Sequence, residues 1–228
     1  INKSLIDYIN WFSAYNLVSK GMVLKMCLGD KKNSIKIEVH NKERSKKKKI
    51  IFILNKDQKK SLEDLRKFGN SFNVSLLQGV TGSGKTIIYF ERIKKILKEG
   101  QQVLILLPEI FLTNQFKERF EEFFGFLPAI WHSKIGIKSK RKIWQGVANN
   151  SLDLVIGARS SLLLPFKNLG LIVLDEEHDP SYKQDEGIVY HARDMAISRA
   201  SFENIPIHLV SAVPSLETFN NIKNKKYN

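Results

Sequence analysis

Between residue 55 and the end of the chain, continuous apolar segments alternate with amphipathic ones. The apolar segments read VSLLQ (74–78), QVLILLP (102–108), LDLVIG (152–157), LGLIVLD (169–175) and PIHLVSA (206–212). The amphipathic segments read DQKKSLEDLRKFG (57–69), KTIIYFERIKKILKEG (85–100) and IFLTNQFKERFEEFFG (110–125). Strands that are apolar on both faces, separated by helices, are typical of a parallel sheet with helices on both sides. We therefore predict an α/β fold for residues 54–228.

The first 53 residues follow a different pattern. Apolar residues in residues 4–28 recur at helical spacing, which predicts two short helices joined by a turn near Lys20 and Gly21. The segment SIKIEV (34–39) alternates as an edge strand does, and KERSKKKK (42–49) is a charge run typical of an exposed linker. We therefore divide the chain into a helical segment (1–30), a basic linker (31–53) and a main domain (54–228). The linker either contacts phosphates or is simply solvated.

The chain of 228 residues carries a formal net charge of +14. Residues 1–75 hold 17 of the 37 Lys and Arg residues but only 7 of the 23 Asp and Glu residues, so the excess lies near the N-terminus. A polyanion such as nucleic acid is the natural partner of such a surface. The alternative is a solvated surface whose lysines reflect an AT-rich genome.

Cysteine content and hydropathy indicate the cellular compartment of the protein. Cys27 is the only cysteine, so an intramolecular disulfide is impossible and a reducing compartment fits best. The longest apolar runs fall far short of the roughly 18 residues that a membrane span needs. We expect a cytoplasmic protein without a membrane partner.

The segment GVTGSGKT (79–86) satisfies the phosphate-loop pattern G-x-x-x-x-G-K-[ST], and it lies between a predicted strand and a predicted helix. Glycines at these positions let backbone N–H groups point at phosphate oxygens. Lys85 would neutralise the β- and γ-phosphates, and Thr86 would hold Mg²⁺ through its hydroxyl. The nucleotide-binding residues predicted from this segment are Gly79, Gly82, Ser83, Gly84, Lys85 and Thr86.

The segment LIVLDEEH (171–178) places two carboxylates directly after an apolar strand. A buried parallel strand delivers its last residue to the carboxyl edge of the sheet, which is also the edge that the phosphate loop occupies. Asp175 would coordinate Mg²⁺, and Glu176 would polarise the attacking water. The alternative is a charged strand end that caps helices. Our interpretation is that both segments form one site that binds and hydrolyses a nucleoside triphosphate, with Lys85, Asp175 and Glu176 as catalytic residues.

Further segments distinguish among the protein families that share these two motifs. Besides the phosphate loop and DEEH, the chain contains LNKDQ, LLPEIFLTNQF, IGARSSLLLPF, DPSYKQDEG, YHARDMAISRA and SAVPSLET in this order. From about residue 54 onward this set closely resembles the replication-restart DNA helicases of bacteria, a superfamily 2 DExH-type family. The resemblance implies a RecA-like nucleotide-binding lobe with ATP and Mg²⁺ as cofactors.

The resemblance also implies roles for individual residues. Gln58 would recognise adenine, although a glutamine on a helix surface is the alternative. His178 would couple the DExH carboxylates to neighbouring motifs. For two further residues the alternative to a DNA contact is structural: a helix cap for Thr113 and a surface ion pair for Arg159. The residues implied to contact one DNA strand are Thr113, Gln115 and Arg159.

The segment DPSYKQDEGIVYHARD (179–194) corresponds to the aromatic-rich loop of the family, which links DNA contact to ATP hydrolysis. The family carries an aromatic and a basic residue where this chain has Ile188 and Val189. Ser211 retains the first hydroxyl of the family's S-A-T motif, but Val213 lacks the second. Aromatic faces can stack on bases of any sequence. The loop residues implied in DNA contact and coupling are Tyr182, Lys183, Tyr190 and His191, with core packing as the alternative for Tyr190.

The family pattern extends beyond this sequence. Its members carry a 3′-end DNA-binding domain, a winged helix, a cysteine-rich zinc module and a second RecA-like lobe with an arginine finger. Zinc is expected for the full-length family, but its ligands are absent from a chain with one cysteine. Residues 1–30 would then be a remnant of the DNA-binding region. We expect a partial or truncated member with one motor lobe, which by itself hydrolyses ATP slowly.

By resemblance, the expected function is an ATP-dependent 3′–5′ DNA helicase that acts near the nucleoid and assembles the primosome at stalled forks. Its partners would be forked or single-stranded DNA, primosome proteins and single-strand-binding proteins. Two alternatives remain open: a non-hydrolysing, nucleotide-gated DNA-binding fragment, or another superfamily 2 DNA translocase. Turnover of ATP separates the first alternative from the helicase, and stimulation by forked DNA separates the second.

Overall fold

The computed structural model describes residues 2–28 and 52–228. The edge strand and the charge run predicted at residues 34–49 lie outside the described residues. The helices are α1 (Lys3–Tyr15), α2 (Lys20–Leu28), α3 (Lys56–Lys67), α4 (Lys85–Lys98), α5 (Asn114–Phe124), α6 (Ile137–Ala148), α7 (Ala192–Glu203) and α8 (Leu216–Lys223). The strands are β1 (Asn73–Gln78), β2 (Gln102–Leu106), β3 (Ala129–Trp131), β4 (Leu154–Gly157), β5 (Leu169–Asp175), β6 (Lys183–Gln184), β7 (Tyr190–His191) and β8 (Pro206–Ser211).

Six strands form one parallel sheet in the order β1-β8-β5-β2-β4-β3. Every residue of β2 and β5 is buried, which explains why these strands read as continuous apolar runs. The predicted α/β architecture with a parallel sheet is confirmed. In addition, β6 and β7 pair antiparallel as a small hairpin between β5 and α7.

Helices cover both faces of the sheet. Successive residues of β5 alternate between two apolar clusters, since Ile172 and Leu174 belong to one and Leu171 and Val173 to the other. The first cluster includes side chains of α1, α2, α6 and α7, and the second includes those of α3, α4 and α5. The sheet is therefore the middle layer of three.

The N-terminal helices pack against this lobe rather than standing apart from it. Leu5, Tyr8 and Phe12 of α1 are at most 1% exposed and lie in the same apolar cluster as α7. The Tyr8 hydroxyl donates to the carbonyl oxygen of Met195 at 3.1 Å. Burial on this scale ties α1 into the core of the lobe, a contact that the sequence pattern did not predict.

Two boundaries differ from the sequence prediction. The break between the N-terminal helices lies at residues 16–19, where Leu17 has φ 53°, and Gly21 is inside α2. Helix α5 begins at Asn114 because the Thr113 side chain accepts a hydrogen bond from the Phe116 N–H at 3.2 Å. The prediction of a turn near Lys20 and Gly21 was wrong, and so was a continuous helix from residue 110.

Candidate nucleotide-binding site

The sheet topology brings the phosphate loop and the DEEH segment to one edge. Strands β1 and β5 both pair with β8, so their carboxyl ends lie one strand apart. At that edge Gln78 is in register with Ser211, and Asp175 is in register with Val210. A cavity of about 550 Å³ opens there. It is lined by Phe52, Thr81, Gly82, Gly84, Lys85, Thr86, Ile87, Leu107, Phe111, Thr113, Gln115, Phe116, Arg119, Asp175 and Glu176.

The phosphate loop requires glycine at its last turn. Gly84 has φ +85°, and a Cβ atom there would lie 2.4 Å from the Gln58 Nε2 atom. Gln58 occupies this position because its Nε2 donates to the Ser83 carbonyl oxygen at 2.9 Å. The same side chain forms a capping box with Asn55 at the start of α3, since its Oε1 accepts from the Asn55 N–H at 3.0 Å. Gln58 therefore joins α3 to the loop, and adenine recognition by Gln58 stays a prediction.

Lys85 lies across the loop that it would use to bind phosphate. Its Nζ donates to the carbonyl oxygen of Gly79 at 2.6 Å and to that of Val80 at 3.1 Å, and the residue is 9% exposed. A nearly buried ammonium group held by neutral carbonyls is well placed to exchange these bonds for stronger ones to an anion.

Asp175 is a buried carboxylate held by two donors. Its Oδ2 accepts from the Tyr89 hydroxyl at 2.8 Å, and its Oδ1 accepts from the Glu176 N–H at 3.0 Å. Burial raises the pKa of Asp175 from its ordinary value of 3.8 to about 6. Tyr89 lies in the first turns of α4, three residues after Thr86. The carboxylate that would face the nucleotide is therefore held in place from the phosphate-loop helix.

A magnesium ion fits this set of residues. Thr86 and Asp175 line the same cavity and offer a hydroxyl and a carboxylate oxygen, which are the hard ligands that Mg²⁺ prefers beside phosphate oxygens and water. Among the described residues there is no group of three or more His, Cys, Asp or Glu side chains suited to a metal. That finding is compatible with Mg²⁺, which is commonly held by one or two protein ligands and its nucleotide.

His178 and Ser211 lie next to each other, and the coupling role that the resemblance implies for His178 stays a prediction. The His178 Nδ1 lies 2.7 Å from the Ser211 Oγ and 3.7 Å from the Glu176 Oε2. The same Ser211 hydroxyl oxygen accepts from the Val213 N–H at 3.1 Å. Val213 is 69% exposed, and Ser211 links the DEEH turn to the segment after β8 through the backbone N–H of residue 213.

The aromatic-rich loop differs from the expectation of exposed, base-stacking rings. Tyr182 is 1% exposed, and its hydroxyl donates to the carbonyl oxygens of Asp175 at 2.6 Å and Leu106 at 3.0 Å. Tyr190 is 5% exposed and packs edge-on against Phe12 at 5.3 Å between ring centroids. Both rings fill the core in this structure, as the alternative for Tyr190 described, and the roles of Tyr182 and Tyr190 in DNA contact and coupling stay predictions.

The other loop positions divide between core and surface. Ile188 is buried, whereas Val189 is 55% exposed. Lys183 pairs with Asp185 at 3.1 Å on the surface. His191 precedes α7 and is partly buried, and burial lowers its pKa. The hairpin therefore presents Lys183 and Val189 outward.

Of the three positions predicted to contact DNA, two line the nucleotide cavity. Thr113 caps α5, which was its alternative role, and Gln115 lies in the first turn of that helix. Arg159 lies away from the cavity lining, and its Nη1 donates to the carbonyl oxygen of Lys183 in the hairpin. Arg159 thus joins the segment after β4 to the hairpin instead of forming a surface ion pair.

Sequence reasoning missed Glu177. Its side chain is fully buried and is bound by Ser215, Thr218 and Arg193. The available signal was a third consecutive charged residue at the end of a buried strand, together with an S-x-x-T cap later in the chain, in SAVPSLET.

Comparison with known proteins agrees with this geometry. Residues 55–222 match the DEAD/DEAH box helicase family. The replication restart protein PriA of Rickettsia conorii is 45% identical over 231 aligned residues, which cover 100% of this chain and 34% of that protein. PriA of Haemophilus influenzae is 48% identical over 174 residues (76% and 24%), and PriA of Bacillus subtilis is 44% identical over 168 residues (73% and 21%). The chain thus spans about a third or less of the length of these relatives.

Solved structures show the same fold. RecG bound to a three-way DNA junction superposes with a TM-score of 0.55 at 24% identity, covering 75% of this chain and 22% of that chain. The Hef helicase domain of Pyrococcus furiosus gives a TM-score of 0.51 at 19% identity, covering 76% and 38%. No helix among residues 2–28 and 52–228 is long and apolar enough to cross a membrane. The chain belongs to the DEAD/DEAH box helicase family, and within it the chain is similar over its whole length to the bacterial replication restart protein PriA.

Proposed function

We propose that this chain is the ATP-binding motor lobe of an ATP-dependent 3′–5′ DNA helicase of replication restart. The observation that carries the proposal is the cavity that Lys85, Thr86, Asp175 and Glu176 line together. A phosphate-binding cation, a hydroxyl and two carboxylates at one sheet edge are the groups that phosphoryl transfer to water requires.

The residues of the chain divide the work of hydrolysis. Lys85 would leave the Gly79 and Val80 carbonyls and bind the β- and γ-phosphates, because a charge-assisted bond to phosphate is stronger than a bond to a neutral carbonyl. Glu176, which lines the cavity with φ 51°, would polarise the attacking water. Mg²⁺, when bound at Thr86 and Asp175, would supply charge neutralisation at the phosphates.

Two chains of contacts support coupling between hydrolysis and DNA, although the link between Glu176 and His178 is a 3.7 Å contact and not a hydrogen bond. One runs from the Asp175 backbone through the Tyr182 hydroxyl into the segment that continues as the β6–β7 hairpin. The other runs from Glu176 through His178 and Ser211 to residue 213. Both lead from the carboxylates of the cavity toward the hairpin and the segment after β8, where we propose contacts to a nucleic-acid backbone that fix position without reading bases.

The remainder of the proposal concerns the whole protein. Since the matched relatives are about three times longer than this chain, we propose that a second lobe supplies an arginine finger. We further propose that forked or single-stranded DNA, primosome proteins and single-strand-binding proteins are its partners in the cytoplasm near the nucleoid. By resemblance, a zinc module would belong to that longer protein.

Steady-state ATP hydrolysis, with and without forked DNA, tests the proposal, with Lys85→Ala as the matched control. Hydrolysis that rises with forked DNA and disappears in the control supports a helicase motor. Binding of ATP without Lys85-dependent turnover would instead support a nucleotide-gated DNA-binding lobe. Equal stimulation by linear duplex and forked DNA would favour another superfamily 2 translocase.

A further inference from the structure

The Glu177 carboxylate is enclosed by donors from two other elements. Its Oε1 accepts from the Ser215 N–H at 2.6 Å, and its Oε2 accepts from the hydroxyls of Ser215 at 3.1 Å and Thr218 at 3.0 Å. The Arg193 Nη1 lies 3.4 Å from the same Oε2. The side chain of Glu177 is 0% exposed and that of Arg193 8% exposed, so this is a buried ion pair whose carboxylate accepts hydrogen bonds at both oxygens.

This cluster ties three parts of the fold to the DEEH turn. Ser215 and Thr218 form the N-terminal cap of α8, directly after β8. Arg193 lies in the first turn of α7, two residues after the β6–β7 hairpin ends. The Glu177 N–H also donates to the Val210 carbonyl oxygen at 3.1 Å, which fixes the turn to β8.

Glu177 stands between two residues that line or neighbour the cavity. Glu176 adopts φ 51°, an unfavourable backbone region for a residue with a side chain, and persists there only if its surroundings hold it. His178 reaches Ser211 on the next strand. Because Glu177 points into the core and is held at four points, its neighbours are forced toward the cavity and toward Ser211.

We infer that Glu177 and Arg193 are positioning residues for ATP hydrolysis. They touch neither nucleotide nor DNA; they hold Glu176 and His178 in their working orientation and fasten α7 and α8 to that turn. The inference deepens the proposed function and rests on it. A movement of the hairpin or of the segment after β8 then reaches Glu176 through this cluster, since α7 follows the hairpin and α8 follows β8.

A purely structural cluster would make a different prediction. Loss of a stabilising ion pair lowers stability, but it leaves the response of the intact fold to nucleotide unchanged. Loss of a positioning residue leaves the affinity for nucleotide unchanged, because Glu177 does not line the cavity. The DEEH turn, however, no longer transmits the presence of nucleotide to the hairpin and to the segment after β8. The decisive result is therefore whether bound nucleotide still changes the rest of the fold when the affinity for nucleotide is unchanged.

The experiment compares wild type, Glu177→Gln and the milder Thr218→Val with Glu217→Gln as matched control. Glu217 also pairs with Arg193 at 3.4 Å, but its side chain is 71% exposed. Affinity for Mg²⁺ and a fluorescent non-hydrolysable ATP analogue is measured at a temperature where all four are folded. Hydrogen exchange of residues 183–191 and 212–218 is then measured with and without that analogue.

We expect Glu177→Gln and Thr218→Val to bind the analogue with an affinity within about threefold of wild type. In both variants the analogue should no longer change the hydrogen exchange of these two segments. The kcat for ATP should fall about tenfold or more, with little change in KM. The control should behave as wild type. An unchanged exchange response and an unchanged kcat in both variants would overturn the inference while leaving the proposed function intact. A wild-type chain that binds no analogue would overturn both.

Discussion

Replacing the buried catalytic carboxylate should make the protein more stable at neutral pH while removing its activity. In Asp175→Asn, the side chain keeps its shape and an oxygen that can accept from the Tyr89 hydroxyl, but it no longer carries a charge. Burial disfavours the ionised form of Asp175, which is why its pKa is raised to about 6. The native aspartate therefore destabilises the folded state, a cost that is common for residues required for activity.

The magnitude follows from linkage. With a pKa of about 6 in the folded protein and 3.8 as the ordinary value, the folded state binds the proton more tightly than the unfolded chain. Wild-type stability should therefore fall as pH rises from about 4 to about 6. Since one pKa unit corresponds to about 1.4 kcal/mol, ionised Asp175 lowers the free energy of unfolding by about 3 kcal/mol above pH 6.

Urea denaturation at a series of pH values, in EDTA and without nucleotide, measures this effect. The amide side chain of the Asp175→Asn variant does not titrate, so the free energy of unfolding of the variant relative to wild type should rise by about 2 to 3 kcal/mol between pH 4 and pH 7.5. A gained or lost hydrogen bond would shift this difference equally at every pH. Asp185→Asn, at an exposed surface carboxylate, is the control for the substitution of a carboxylate by an amide. A difference that is flat or that falls with pH would refute the reasoning.

Three further variants test other parts of the structure. Gly84→Ala should weaken ATP binding at least tenfold and lower stability by about 1 to 2 kcal/mol, because φ is +85° and the new Cβ would meet Gln58; unchanged ATP affinity by calorimetry would contradict this. Tyr182→Phe leaves two buried carbonyl oxygens without their shared donor and should lower the free energy of unfolding by about 2 kcal/mol in urea titrations. Phe12→Ala should cost about 3 to 5 kcal/mol if α1 belongs to the core of the lobe, whereas Phe219→Ala, at an exposed position of α8, should change stability by less than about 1 kcal/mol.

Local sequence was sufficient for five of the six strands of the parallel sheet and for the phosphate loop. Strands β2 and β5 are buried on both faces, so their apolar runs have one simple interpretation. The loop pattern at residues 79–86 combines spacing with a strand before it and a helix after it, and the structure shows both. Because parallel strands end at a common edge, the placement of Lys85 and Asp175 at one edge could be predicted, whereas the insertion of β8 between β1 and β5 could not.

Tertiary contacts decided the rest. Tyr182 and Tyr190 sit in a polar loop sequence that favours exposure, yet hydrogen bonding to two strand ends and packing against Phe12 bury them. The role of Glu177 depends on Ser215, 38 residues further along the chain, and no local pattern specifies that contact. Short elements such as β3, with three residues, carry too little periodicity to be predicted.

Equilibrium binding of a fluorescent ATP analogue, measured by anisotropy in Mg²⁺ and in EDTA, tests most directly whether the phosphate loop and the DEEH turn form one nucleotide site. Our account predicts binding by the wild type that weakens in EDTA, loss of binding in Lys85→Ala, and binding in Asp175→Asn that no longer responds to Mg²⁺. Equal binding by the wild type and Lys85→Ala, or an undiminished Mg²⁺ response in Asp175→Asn, would contradict the account.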